Sequence, residues 1–256
     1  MNRTLKGVRV LNTRPPHQAQ ELSRSIIAAG GVAIECPTLE IQATNSSWIH
    51  SLPNLNKVNQ AIFVSSNAVY HCFTQLKLHH IHWPESIKVI AIGYGSAKTL
   101  NEFHITVHHI PERADSEHLL DISSLQQIKN QTVLLFKGEE GRTLIEEGLL
   151  QKGAHVIPLD VYKRVMPHIR PEFINSLWRE DLVDIILLTS EQSIRNLFKI
   201  FSEETHGWLH EKPCLVISER LAKSASLFGM KKIIISHPNG IMNTLLDYYQ
   251  GLIHGQ

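Results

Sequence analysis

Short apolar runs, each closed by a small polar or glycine-bearing turn, alternate along this chain with longer stretches whose apolar residues recur at helical spacing. Runs at 8–12, 32–36, 61–65, 88–92, 105–109, 132–136, 155–157, 184–188, 214–217 and 232–235 predict strands. Several are apolar throughout instead of alternating, as expected of parallel strands covered on both faces. Residues 18–29 carry Ala19, Leu22, Ile26 and Ile27 on one helical face and stop at Gly30-Gly31. Residues 142–152 do the same before Gly153. The fold class is α/β.

The pattern repeats once, at an offset of about 124 residues. Ala61-Ile62-Phe63-Val64-Ser65-Ser66 is echoed by Ile185-Ile186-Leu187-Leu188-Thr189-Ser190, and Val89-Ile90-Ala91-Ile92-Gly93 by Cys214-Leu215-Val216-Ile217-Ser218. Val8-Arg9-Val10-Leu11-Asn12 parallels Thr132-Val133-Leu134-Leu135-Phe136. Solenoid repeats run roughly 20–50 residues, so a period this long predicts two related domains with a ligand between them. The order is a short unit, a long unit and their two echoes, which leaves two pairings. Either the domains are sequential, or the middle of the chain forms one while its two ends close the other. The second needs crossings near 37–42 and 158–166, and both stretches are short, β-rich and marked by proline, Pro37 and Pro158.

Composition narrows the function. A formal net charge of +1 lacks the massed basic residues of a nucleic-acid footprint. Cys36, Cys72 and Cys214 are far apart and odd in number, which fits a reducing cytoplasm and neither a disulfide framework nor a zinc knuckle. No apolar stretch approaches the ~20 residues of a membrane span, and the first residues lack a secretory pattern, so a soluble, unexported protein is expected. Eight of 16 histidines fall between His71 and His118, but without metal-ligand spacing, and no metal is expected.

Candidate chemistry gathers in six turns just beyond strand ends, where parallel sheets place ligands. They are Thr13-Arg14-Pro15, Ser65-Ser66-Asn67, Gly93-Tyr94-Gly95-Ser96, Lys137-Gly138 through Gly141-Arg142, Thr189-Ser190-Glu191 and Ser218-Glu219-Arg220. Each offers free helix-start N–H groups and hydroxyls to an anion, although Ser, Thr and Asn are also ordinary N-caps. Gly93-Tyr94-Gly95 is no dinucleotide fingerprint, since the third glycine falls at Lys98, and the turn at Lys137 is no Walker loop. Tyr162, on a proposed crossing beside Lys163-Arg164, is positioned to face a cleft while packing its ring.

Together these segments resemble the uroporphyrinogen-III synthase family over nearly the whole chain. The likeness rests on the order and spacing of Asn12-Thr13-Arg14-Pro15, Ser65-Ser66-Asn67-Ala68, Gly93-Tyr94-Gly95-Ser96-Ala97, Asp115-Ser116-Glu117-His118, Lys137-Gly138-Glu139-Glu140-Gly141-Arg142, Asp160-Val161-Tyr162-Lys163-Arg164, Thr189-Ser190 and Ser218-Glu219-Arg220-Leu221-Ala222. Ser65 and Ser96 stand where the family commonly has Thr, and Leu221 takes the second copy of the latter position.

The resemblance implies two similar doubly wound, Rossmann- or flavodoxin-like domains joined by a two-stranded β ladder. One domain comprises 1–37 and 166–256, and the other, 42–158, is inserted within it; 37–42 and 158–166 are linkers. It implies closure of hydroxymethylbilane, a linear tetrapyrrole octacarboxylate, to uroporphyrinogen III with loss of water and inversion of ring D. In that account ring A loses its hydroxyl, the azafulvene is attacked by ring D, and a spiro intermediate fragments and recloses. Tyr162 matches the tyrosine favoured to assist the leaving hydroxyl. Thr13, Arg14, Ser65, Ser66, Asn67, Gly93, Ser96, Ser116, Lys137, Gly138, Arg142, Thr189, Ser190, Ser218, Glu219 and Arg220 become substrate-binding candidates. No cofactor is implied. A monomer is expected, and transient hand-over from hydroxymethylbilane synthase is compatible with it. The alternatives are a non-catalytic two-domain clamp for a small polyanion and a nucleotide-sugar transferase, for which ~256 residues is short.

Overall fold

A computed structural model of the chain describes residues 4–141 and 143–251. In chain order the elements begin β1 (Arg9–Asn12), α1 (Pro16–Ala28), β2 (Val32–Glu35), β3 (Glu40–Ala43), α2 (Ser47–His50), β4 (Gln60–Phe63) and α3 (Ser66–Leu78). They continue with β5 (Lys88–Ala91), α4 (Tyr94–Glu102), α5 (Ser116–Asp121), β6 (Thr132–Gly138), α6 (Leu144–Gln151), β7 (His155–Val165) and α7 (Pro171–Arg179). The last are β8 (Ile185–Leu188), α8 (Glu191–Ile200), α9 (His206–Glu211), β9 (Pro213–Val216), α10 (Glu219–Leu227), β10 (Lys232–Ile235) and α11 (Ile241–Tyr249).

The chain divides into two compact units, one from residues 1–40 and 165–256 and one from 41–164. The first holds the sheet β10-β9-β8-β1-β2 and the second the sheet β3-β7-β6-β4-β5. Parallel registers run through both, from Val10 opposite Ile185 to Phe63 opposite Phe136. Read outward from β2, the first sheet has the doubly wound order 2-1-3-4-5. Four strands of the second follow the same plan with the chain permuted: β6 and β7 come after β4 and β5 and take the places of β1 and β2, and β3 adds an edge outside β7.

Each strand feeds two cores because successive side chains point to opposite faces. In the second unit Ile62, Ile90, Val133 and Leu135 pack with Leu119, Ile145 and Leu149 of the helices on one face. Phe63, Val89, Leu134 and Phe136 pack with Ala68, Val69, Cys72, Ala97 and Leu100 on the other. Phe63 and Phe136 stack with centroids 4.6 Å apart, joining β4 to β6. In the first unit Val10, Ile185 and Leu187 meet Leu22, Ile26 and Leu245, while Leu11, Ile186 and Leu188 meet Ile194, Leu197 and Leu221.

One expectation needs correction. Residues 105–109 make a single parallel bridge, His109 with Ile90, and no strand. The ring Nδ1 of His108 accepts the Val89 N–H (3.1 Å), so a side chain takes the place of a ladder carbonyl. The stretch 158–166 lies almost wholly inside the 11-residue strand β7, which pairs with β3 of the other crossing stretch as well as with β6, so Tyr162 is a strand residue.

Candidate active site

The second sheet reverses its winding between β6 and β4. From β4 the chain passes into α3, which packs against the Phe63 face; from β6 it passes into α6, which packs against the opposite face. Helices diverging to opposite faces leave a crevice beyond the strand ends, and doubly wound sheets place ligands there. A cavity of about 490 Å³ occupies this position, lined by Ser65, Asp115, Ser116, Lys137, Gly138, Glu139, Glu140, Tyr162 and Arg164 among others.

Tyr162 reaches the cavity through an irregularity in β7. Lys137 pairs with Asp160 but Gly138 with Tyr162, so β7 carries one extra residue there. Such a bulge turns a side chain out of the normal alternation. Val161 and Tyr162 are consequently both buried, and Tyr162 keeps only 4% of its surface exposed. Its ring lies on Gly138: a Cβ at that position would sit 2.8 Å from ring carbons Cε2 and Cζ. The His71 ring lies near-parallel to it with centroids 6.1 Å apart. Its hydroxyl meets that of Ser65 at 3.2 Å.

Charges in the cavity are mixed. Lys137, 9% exposed, donates from Nζ to Asp160 Oδ1 at 2.7 Å. Asp115 caps α5 by accepting the His118 N–H at 2.8 Å, and that bond, followed by one from the His118 ring, holds its carboxyl below the ordinary range. With Glu139 and Glu140 lining it alongside Lys137 and Arg164, the cavity's side chains carry both signs of charge. Beside Ser65 the first turn of α3 starts at Ser66, where N–H groups lack intrahelical acceptors and the positive end of the helix dipole lies. Among the described residues no cluster of histidine, cysteine or carboxylate side chains could hold a metal ion.

Of the sequence candidates, the cavity therefore gathers Ser65, Ser116, Lys137, Gly138 and Tyr162. Ser66 and Asn67 open α3 beside it, and Gly93 caps α4 against Ala114 of the cavity wall. Ser96 is a correction: at 4% exposure it faces the core with Ala97. Arg142 lies outside the described residues.

The corresponding crevice of the first unit is filled. Thr13 is fully buried, donating to the Leu187 carbonyl at 2.5 Å, and so has no hydroxyl for a ligand. The Thr38 and Ser193 hydroxyls hydrogen-bond to each other at 2.6 Å beside it, and Asn196 donates to the Thr38 carbonyl at 2.7 Å. Thr189 is half-buried. Ser190 and Ser218 are N-caps, accepting from Ser193 and Leu221 N–H groups. Glu219 is exposed, and Arg220 lies 3.5 Å from Glu191. Arg14 borders a separate hollow of about 550 Å³ with Gln18, Glu21 and Asn239, where burial lowers its pKa.

Sequence reasoning named no role for Asp115 or Asp160. The first was visible as a cap three residues before His118. The second depends on the β6–β7 register, which no local pattern reveals.

The family model for uroporphyrinogen-III synthase HemD matches residues 20–241. The chain is 35% identical over 170 residues to the uroporphyrinogen-III synthase of Proteus mirabilis, covering 64% of this chain and 84% of that protein. It is 28% identical to that of Salmonella typhimurium, covering 89% and 94%. Its fold resembles a mutant uroporphyrinogen III synthase from Thermus thermophilus, with TM-score 0.62, 17% identity and coverage of 96% and 99%. It also resembles the enzyme of Helicobacter pylori, with TM-score 0.60, 17% identity and coverage of 96% and 100%. From a match of this extent, the chain belongs to the uroporphyrinogen-III synthase family.

Proposed function

We propose that this chain is a hydro-lyase of tetrapyrrole biosynthesis, closing hydroxymethylbilane to uroporphyrinogen III with loss of water and inversion of ring D. The observation that carries the chemical reading is the Tyr162 hydroxyl, held on a packed ring at the wall of the switch-point cavity. Tyr162 assists departure of the ring-A hydroxyl. The N–H groups opening α3, with Lys137 and Ser116, hold substrate carboxylates, and Glu139 and Glu140 restrict how many enter. Arg14 and the α10 turn at Ser218-Glu219-Arg220 remain carboxylate anchors of the first unit in this reading.

Loss of hydroxide from an electron-rich pyrrole is already facile, so orientation of ring D is the larger task, and shape supplies it. All three cysteines are buried and unpaired, which supports a reducing compartment, and one chain supplies the whole cavity, which supports action as a monomer.

The test supplies fresh hydroxymethylbilane and separates the type I and type III products. Spontaneous closure gives type I; the enzyme yields type III above background. A non-catalytic clamp binds the same compound and leaves only type I.

A further inference from the structure

We propose that Ser65 is a positioning residue that fixes the direction of the Tyr162 hydroxyl, so that Tyr162 enters the reaction as a proton donor. The inference rests on the reading of Tyr162 given above and assigns Ser65 a role other than carboxylate binding.

A serine hydroxyl has one proton to give and lone pairs to receive. Ser65 Oγ accepts the Ala68 N–H at 3.1 Å, which caps α3, and its own proton goes to Tyr162 Oη at 3.2 Å. The phenol oxygen thus already receives a hydrogen bond on the side of Ser65, and its own O–H turns away, toward the cavity that Tyr162 lines. The ring cannot swing to escape this arrangement. Gly138 lies directly beneath it, and the Glu139 N–H donates to the Tyr162 carbonyl at 3.0 Å.

The same bond strengthens as the reaction proceeds. The C–O bond of the ring-A hydroxymethyl group breaks, its oxygen leaves as water carrying the Tyr162 proton, and the azafulvenium is left facing a phenolate. Ser65 then donates to a charged oxygen, and hydrogen bonds to ionised acceptors are roughly twice as strong as neutral ones. The proton shed when the recyclised pyrrole regains aromaticity returns to the phenolate, so atoms and charge balance without a co-reactant.

The experiment is a double-mutant cycle on the full chain, reading kcat/KM for type III product and the melting temperature. Ser65→Gly removes the hydroxyl while glycine remains an acceptable N-cap, so the helix is kept. Ser65→Thr keeps both lone pairs and proton. The expected result is a roughly three- to tenfold loss for Ser65→Gly, near-complete retention for Ser65→Thr, and no further loss from Ser65→Gly in a Tyr162→Phe background. If Tyr162→Phe slows the enzyme but Ser65→Gly costs the same factor in both backgrounds, Ser65 does not act through Tyr162 and the inference is overturned, with the tyrosine reading intact. If Tyr162→Phe itself leaves kcat/KM unchanged, both fall.

Discussion

Tyr162 owes its place to two residues that carry no chemistry of their own. The extra residue in β7 turns it from the sheet, and the missing side chain at Gly138 gives its ring a seat. Replacing Tyr162 by Phe keeps that packing and removes only the hydroxyl. We expect kcat/KM to fall by ~10²–10⁴, the span of acid-base assistance, with the melting temperature near that of the parent. Gly138→Ala is the converse. A methyl group 2.8 Å from two ring carbons forces the tyrosine aside. The variant should lose about 1–3 kcal/mol of stability through overpacking, and most of its type III activity, in urea unfolding and product assays. The sequence made the turn residues visible but not their roles, since a serine after a strand reads alike whether it caps or binds. Ser190 and Ser218 both cap their helices, and Thr13, whose hydroxyl had looked available, bonds to the Leu187 carbonyl of the adjacent strand β8.

At the level of elements, the apolar runs were legible because parallel strands are covered on both faces and therefore uninterrupted by polar residues. The exception is instructive: Ile105 and Val107 mark a strand over 105–109, yet His108 bonds to Val89 through its ring and the ladder ends at one bridge. In the second unit β4 and β6 are joined by Phe63 and Phe136, stacked across the two strands. Phe136→Ala should cost about 3–5 kcal/mol, seen as a lowered urea midpoint, because both rings lie in a core with no exposed surface to relax into. In the first unit β1 and β8 are clasped by an ion pair. Asp184 accepts from the Arg9 backbone N–H (2.8 Å), from Nε (3.0 Å) and from Nη2 (2.6 Å). The Arg9 side-chain bonds hold the Asp184 carboxyl below its ordinary 3.8. A depressed carboxyl pKa stabilises the fold above the unfolded value, and that contribution disappears as pH falls through the folded one. Stability should therefore drop below about pH 4, and Asp184→Asn should flatten part of that acid limb in pH-dependent urea titrations while costing about 1–2 kcal/mol at neutral pH.

For the whole molecule, the order of the two sheets explains why repetition alone left the domain pairing open. Four adjacent positions, β9-β8-β1-β2 in one unit and β5-β4-β6-β7 in the other, follow one plan entered at different points of the chain, while β10 and β3 extend the two sheets at opposite edges. That difference has a consequence for folding. Residues 41–164 contain, in one continuous stretch, nearly all of one sheet and the helices on both its faces, so no buried strand lacks cover when the rest of the chain is removed. The other unit is assembled from two pieces, and the earlier piece supplies β1, which lies in the middle of its sheet between β8 and β2. Without it, Ile185, Ile186 and Leu187 lose their hydrogen-bonded neighbour together with the apolar cover of Leu22 and Ile26. If the units are folding domains, with the inserted segment as one of them, a 40–165 fragment should melt cooperatively with native-like far-UV circular dichroism, whereas a 165–256 fragment should show no cooperative transition. Adding a separate 1–40 peptide should restore order to the second fragment, because it returns the central strand and its helix. A non-cooperative 40–165 fragment would instead mean that the inserted segment takes its stability from the rest of the chain, and the nested partition would have to be abandoned as a description of folding.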